Sequence, residues 1–134
     1  MKRLAVTLFV LPDGRFIFQR RTKDAPVNAG LLGFFGGRIE EGESADQAVR
    51  RETGEETSLD TNELTFVPKE TFSVEREGEL VEYCLYEVAI ADNNFDVYEG
   101  VRAEAYSLDE VITRSDLTSS VKYVVEKLQG AKHV

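Results

Sequence analysis

The chain has 134 residues, 42% of them hydrophobic and 31% charged, with a formal net charge of −9. That length and balance predict one domain able to bury its own core without staples. The acidic charge argues against nonspecific binding to nucleic acid polymers or to an anionic membrane surface.

The single cysteine, Cys84, excludes an intrachain disulfide and points to a reducing, cytoplasmic setting. No apolar run approaches the ~20 residues of a membrane span. The run Leu4–Leu11 follows Lys2 and Arg3 but is cut short by Pro12-Asp13-Gly14, with no small-residue cleavage site after it. It reads as a buried first strand instead of a signal peptide.

Pro12 to Arg15 carries turn chemistry, and Phe16–Arg21 returns as a second strand. Residues 22–30 form a polar loop with Pro26 and Asn28, and Leu31–Phe35 is a short strand feeding a Gly36-Gly37 turn. Paired glycines permit positive φ or a close approach of backbone to a ligand. Arg38, next in the chain, is a candidate charge-assisted donor to a phosphate. Phe34 could stack on a base or sit in the core.

Ser44 with Gln47 three residues on makes a capping box, which starts a helix running to about Thr57. On that helix Glu52, Glu55 and Glu56 fall at i, i+3 and i+4, on one face. Like charges at this spacing repel by a few tenths of a kcal/mol per pair. Thr53 and Gly54 weaken the helix further. Such a face suits a hard divalent cation, which takes carboxylate oxygens. Arg51 is placed to neutralise and orient these carboxylates and to keep them ionised.

Leu64–Val74 and Leu80–Ile90 predict a hairpin with Gly78 in its turn. The second of these strands is apolar enough to be central, with Cys84 as a small core residue. Residues 91–100 form a loop, and Val101–Ser107 the last strand. Leu108–Thr113 is a short helical turn. Thr118 caps a helix through Leu128, with Val121, Val124, Val125 and Leu128 on one face and Gly130 ending it. His133 falls in a tail expected to be disordered.

Gly37, Glu43, Arg51, Glu52, Glu55, Glu56 and Leu59 stand in register with the signature box of the Nudix hydrolases, which the chain resembles. Thr53 departs from the usual aliphatic and Ser58 from the usual glycine. Glu99-Gly100, Glu104 and Ser107-Leu108 resemble the family's late loop and following strand. The resemblance covers nearly the whole chain. It implies an α/β fold: an α/β/α sandwich with a central mixed, mostly antiparallel sheet.

The resemblance also implies a Mg²⁺-dependent hydrolase, with Mn²⁺ as substitute, cleaving a phosphoanhydride in a nucleoside diphosphate derivative. Glu52, Glu55, Glu56 and the Gly37 carbonyl would hold metal, with Glu43 in an outer role. Glu99 would contact metal or activate water, and either Glu52 or Glu99 would take the proton. Arg21 would reach a substrate phosphate.

The small nucleotide substrate expected first is a nucleoside triphosphate, giving monophosphate and pyrophosphate. ADP-ribose or a nucleotide sugar is the alternative, and a non-catalytic ligand-binding domain or a prenyl-diphosphate isomerase stands further off. Small oxidised-purine nucleotide hydrolases often read the base through an Asn near the final helix, and no Asn follows Asn94 here. Assembly is left between monomer and homodimer.

Overall fold

Strand β1 (Lys2–Val10) is the strand on which the sheet is assembled. Val6 and Leu8 enter one apolar cluster and Ala5 and Phe9 another, so both of its faces are covered. That accounts for the nearly unbroken apolar run in its sequence. The computed structural model describes residues 1–98, 100 and 102–132.

One edge of β1 pairs in parallel with β6 (Glu79–Ala89) along its whole length, from Lys2 beside Val81 to Val10 beside Ala89. The other edge is divided. Its last residues pair with β2 (Phe16–Arg20), and Leu4–Thr7 pair antiparallel with β4 (Phe35–Arg38). The segment from β3 (Leu32–Gly33) to β4 leaves β2 at Phe34 and crosses to β1. β5 (Val67–Arg76) closes one side on β6, and β7 (Arg102–Tyr106) lies on β2. The sheet order is β3-β2-β1-β6-β5, with β4 on β1 and β7 on β2.

Two findings correct the sequence reading here. Gly36 and Gly37 are not a turn but lie within β4, opposite Val6 and Ala5. The turn follows them, around Gly42 at φ +79°. The hairpin strand expected from Leu64 begins at Val67, because Asp60 caps a 3₁₀ turn over Thr61–Glu63. The hairpin itself turns through Glu77 and Gly78, both at positive φ. That backbone is the two-residue turn whose twist matches the strands.

Helix α1 (Ala45–Glu56) covers one face of the sheet and begins with the expected Ser44–Gln47 capping box. The opposite face carries α2 (Leu108–Val111) and α3 (Ser119–Lys132), with Val121, Val124 and Val125 in the core. Phe72 stacks between Tyr83 and Tyr123, at 5.4 and 4.3 Å between ring centroids. Helices on both faces of a mixed sheet make the α/β/α sandwich. Gly130 does not end α3, which continues to Lys132. A Cβ there would meet nothing within 4 Å. An exposed helical glycine costs only ~1 kcal/mol, which Ala and Lys neighbours tolerate. His133 lies outside the described residues, and no helix among those described is long and apolar enough to cross a membrane.

The Thr53 departure has a partner inside the fold. Thr53 and Thr7 are both fully buried, and their hydroxyls meet at 3.3 Å between α1 and β1. Thr53→Val strands the Thr7 hydroxyl and should cost about 1–3 kcal/mol. Adding Thr7→Val removes the orphan, so the double variant should recover most of that loss. Urea denaturation of the four proteins in the cycle measures it; additive losses would dismiss the pairing.

A half-buried ion network fixes β2 to β7 and to the segment that precedes α3. Arg20 donates to Glu104 at 3.0 and 2.8 Å, to Asp116 at 2.8 Å and to the Gly30 carbonyl at 3.0 Å. The Arg20 hydrogen bonds, helped by the Tyr106 hydroxyl, hold the Glu104 carboxyl at about 2, against the opposing pull of burial. A carboxyl depressed on folding stabilises above its ordinary range, near 4.5, and loses that contribution as pH falls toward 2. Glu104→Gln should therefore lower Tm at pH 7 and flatten the Tm decline between about pH 5 and pH 2.5. Parallel wild-type and variant profiles by circular dichroism would remove Glu104 as an acid-sensitive tie.

Candidate active site

The site forms where α1 packs on β4. The Glu56 side chain, on the last turn of α1, turns inward: the residue is 7% exposed, and its carboxylate accepts from the Gly36 N–H at 2.7 Å. Glu52, one turn earlier, lays its carboxylate over Gly37. A Cβ at Gly37 would fall 2.6 Å from both Glu52 oxygens. At Gly36, φ is +136° and a Cβ would fall 2.2 Å from the Ala5 carbonyl oxygen. The two glycines thus serve different contacts. Gly36 lets the chain cross onto β1, and Gly37 leaves space for a carboxylate.

Arg51 braces the acidic side of this arrangement. Its guanidinium donates to Glu43 at 2.7 and 3.0 Å, to Glu52 at 2.9 Å and to the Arg38 carbonyl at 3.0 Å. Weaker bonds of 3.3 Å reach Glu55. Glu43 also accepts from the Glu40 N–H at 3.0 Å. The Arg51 bonds, then the Glu40 amide, hold the Glu43 carboxyl at about 2, so it is anionic throughout the neutral range. The guanidinium in turn is pushed above its ordinary value, first by Glu43.

The expected residues are therefore partly assembled. Glu52 and Glu56 converge on β4, and Glu43 stands behind Arg51. Glu55 is about half exposed and faces Arg51. Among the described residues no three acidic, histidine or cysteine side chains are gathered closely enough to hold a metal as they stand. The donor chemistry nevertheless fits a hard cation: carboxylate oxygens beside backbone, with space kept open by a glycine. Glu99 lies outside the described residues. Its neighbours are placed on both sides. The Tyr98 N–H donates to the Glu56 carbonyl at 2.8 Å, and Gly100 packs against Gln19.

That late loop is strapped to the end of α1. Ser58 donates its N–H to the Asp96 carbonyl at 3.0 Å and accepts from the Asp96 N–H at 2.8 Å. Thr57 bridges to Val97. The Ser58 departure from the family pattern is thus used to hold the loop. No local signal announces a contact across 38 residues of chain.

Arg21 lines two neighbouring cavities. One, about 160 Å³, also has Glu56, Gln19 and Gly100 in its wall. The other, about 70 Å³, has Phe34, Tyr83 and Asn28. The Arg21 Nε donates to the Val27 carbonyl at 2.8 Å, which holds the side chain along the loop. Phe34 is 7% exposed and packs against Phe18 in the α3-side core, so it meets the second cavity as a wall. Arg38 is exposed and lines a separate opening with Arg3 and Glu41. The structure does not bring it to Arg21. Gln19 was not singled out by sequence, although strand alternation places it on the inward face of Ile17.

Comparison with known proteins gives a consistent result. The NUDIX domain family matches residues 1–128. An oxidized purine nucleoside triphosphate hydrolase from Danio rerio is 34% identical over 103 residues, 77% of this chain and 60% of that protein. The chain thus spans about three-fifths of that relative's length. The MutT protein of Methanosarcina mazei Go1 superposes with a TM-score of 0.79 at 22% identity, over 98% of this chain and 94% of that one. A C. elegans Ap4A hydrolase gives 0.75 at 19% identity over 99% and 98%. The E. coli dihydroneopterin triphosphate pyrophosphohydrolase gives 0.75 at 20% over 93% and 92%. At such identities the structures speak for the fold alone. The family match over residues 1–128 takes in the glycines of β4 and the glutamates of α1, and it places this chain in the Nudix hydrolase family.

Proposed function

We propose that the chain is a divalent-metal-dependent hydrolase that cleaves a nucleoside triphosphate to a monophosphate and pyrophosphate. The observation that carries the reading is the convergence of Glu52 and Glu56 on the Gly36-Gly37 backbone, beside a cavity walled by Arg21. The triphosphate class is favoured by the name of the Danio rerio relative.

Glu52, Glu55, Glu56 and the Gly37 carbonyl are the proposed holders of Mg²⁺ or Mn²⁺. When bound, the cation supplies charge neutralisation at the phosphoanhydride and a stronger nucleophile from water. Arg51 keeps Glu52 oriented, and Glu43 keeps Arg51 oriented. Either Glu52 or Glu99 accepts the proton of the attacking water. Arg21 supplies a fixed positive charge to the phosphate chain. Burial of Glu56 keeps its carboxylate in one position, so little reorganisation accompanies the reaction.

The test is a panel of canonical and oxidised nucleoside triphosphates, dinucleoside polyphosphates, ADP-ribose and nucleotide sugars, assayed with Mg²⁺ and with Mn²⁺. Pyrophosphate release from a triphosphate, abolished by a chelator, is the expected result. Turnover of only ADP-ribose or sugar nucleotides would replace the substrate class. No turnover of any member would overturn the hydrolase reading.

A further inference from the structure

One buried polar group lies in the wall of the Glu56 cavity without a structural task. Gln19 is 4% exposed, yet its carboxamide makes no hydrogen bond among the described residues. The amide is not sealed from solvent but opens on the cavity, at a position where a strand selected for stability alone would carry an apolar side chain. Ile17, two residues back on the same face, is such a side chain.

The carboxamide is also kept in place by its neighbour. A Cβ at Gly100 would fall 2.7 Å from the Gln19 nitrogen and 2.9 Å from its carbonyl carbon. The late loop therefore rests backbone-first on this amide. The remaining polar wall is Arg21, Thr22 and Glu56. The aromatic wall lies elsewhere, in the second cavity with Phe34 and Tyr83, and Arg21 is shared between the two. That division sets Gln19 among charged groups and apart from the aromatic ones.

We propose that Gln19 contacts the bound nucleotide directly, its carboxamide N–H donating to the phosphate chain in the cavity shared with Arg21 and Glu56. Phosphate oxygens take the donor that no protein group takes. The proposal rests on the hydrolase reading and adds a ligand-contacting residue outside the signature box.

Gln19→Met keeps length and removes both polar atoms. A lost hydrogen bond to a charged group is worth about 1.5–3 kcal/mol, so kcat/KM should fall roughly ten- to a hundredfold, mostly through KM. Tm should stay level, because the amide has no protein hydrogen bond to lose. Unchanged kcat/KM would overturn the proposal.

A measurement on the wild-type protein does not depend on that variant folding. It uses the non-hydrolysable α,β-methylene analogue of the triphosphate turned over fastest. On its addition with Mg²⁺, the Gln19 side-chain NH₂ signals should shift along with the Gly36 and Gly37 amides. Movement of the glycine amides with Gln19 still would sink the contact and leave the hydrolase reading standing. Stillness of all three would sink both.

Discussion

Glu56→Gln should leave the fold intact and reduce kcat roughly 10³-fold, about 4 kcal/mol of barrier. The substitution is nearly isosteric. The Gln carbonyl can still accept from the Gly36 N–H that now meets Glu56 at 2.7 Å, so the junction of α1 and β4 survives. What disappears is a negative charge at a position 7% exposed, where water cannot replace it. On the proposed role of Glu56 as a cation ligand, raising Mg²⁺ should recover only part of the rate. Steady-state pyrophosphate release, with circular dichroism to verify folding, makes the measurement. A pure variant turning over near the wild-type rate would remove Glu56 from the site.

Gly36→Ala is expected to have the largest effect on stability, on the order of 2–6 kcal/mol. Two separate costs add. Alanine at φ +136° sits in a region that glycine occupies freely and L side chains rarely adopt. The new methyl would also fall 2.2 Å from the Ala5 carbonyl oxygen and 2.7 Å from the Val6 Cα, both backbone atoms that cannot turn aside. Relief requires β4 to move off β1, which carries the Gly36 N–H away from Glu56. Urea denaturation should show the loss, and activity should fall with it. Gly37→Ala is the contrast. Its methyl meets a side chain, the Glu52 carboxylate, so the fold should tolerate it better than the site does. A Gly36→Ala midpoint equal to wild type would mean the strands are not held this closely.

Local chemistry made much of this legible in advance. The capping box at Ser44, the hairpin turn at Gly78 and the apolar face of α3 are each written within a few neighbouring residues, and each stands where expected. The acidic face of α1 was equally plain, because helical spacing alone puts Glu52 and Glu56 together. The glycines before it suggest a turn, since glycine pairs usually mark one. Their actual reasons are the β1 backbone and the Glu52 carboxylate, both distant in sequence. Gln19 escaped notice for the same cause. A single polar residue between Phe18 and Arg20 says nothing until Gly100 and Glu56 are found beside it. Thr53 and Ser58 looked like departures from a pattern, and only Thr7 and Asp96 show what each does.

The divided edge of β1 bears on how the protein is made. β1 precedes β6, which ends at Ala89, and needs it before its second edge is covered. Parallel pairing across so many intervening residues forms slowly, because the loop must close before any contact rewards it. Until β6 has been made, the apolar β1 therefore waits with an open flank. An unpaired apolar edge of this kind is the surface through which incompletely folded chains associate.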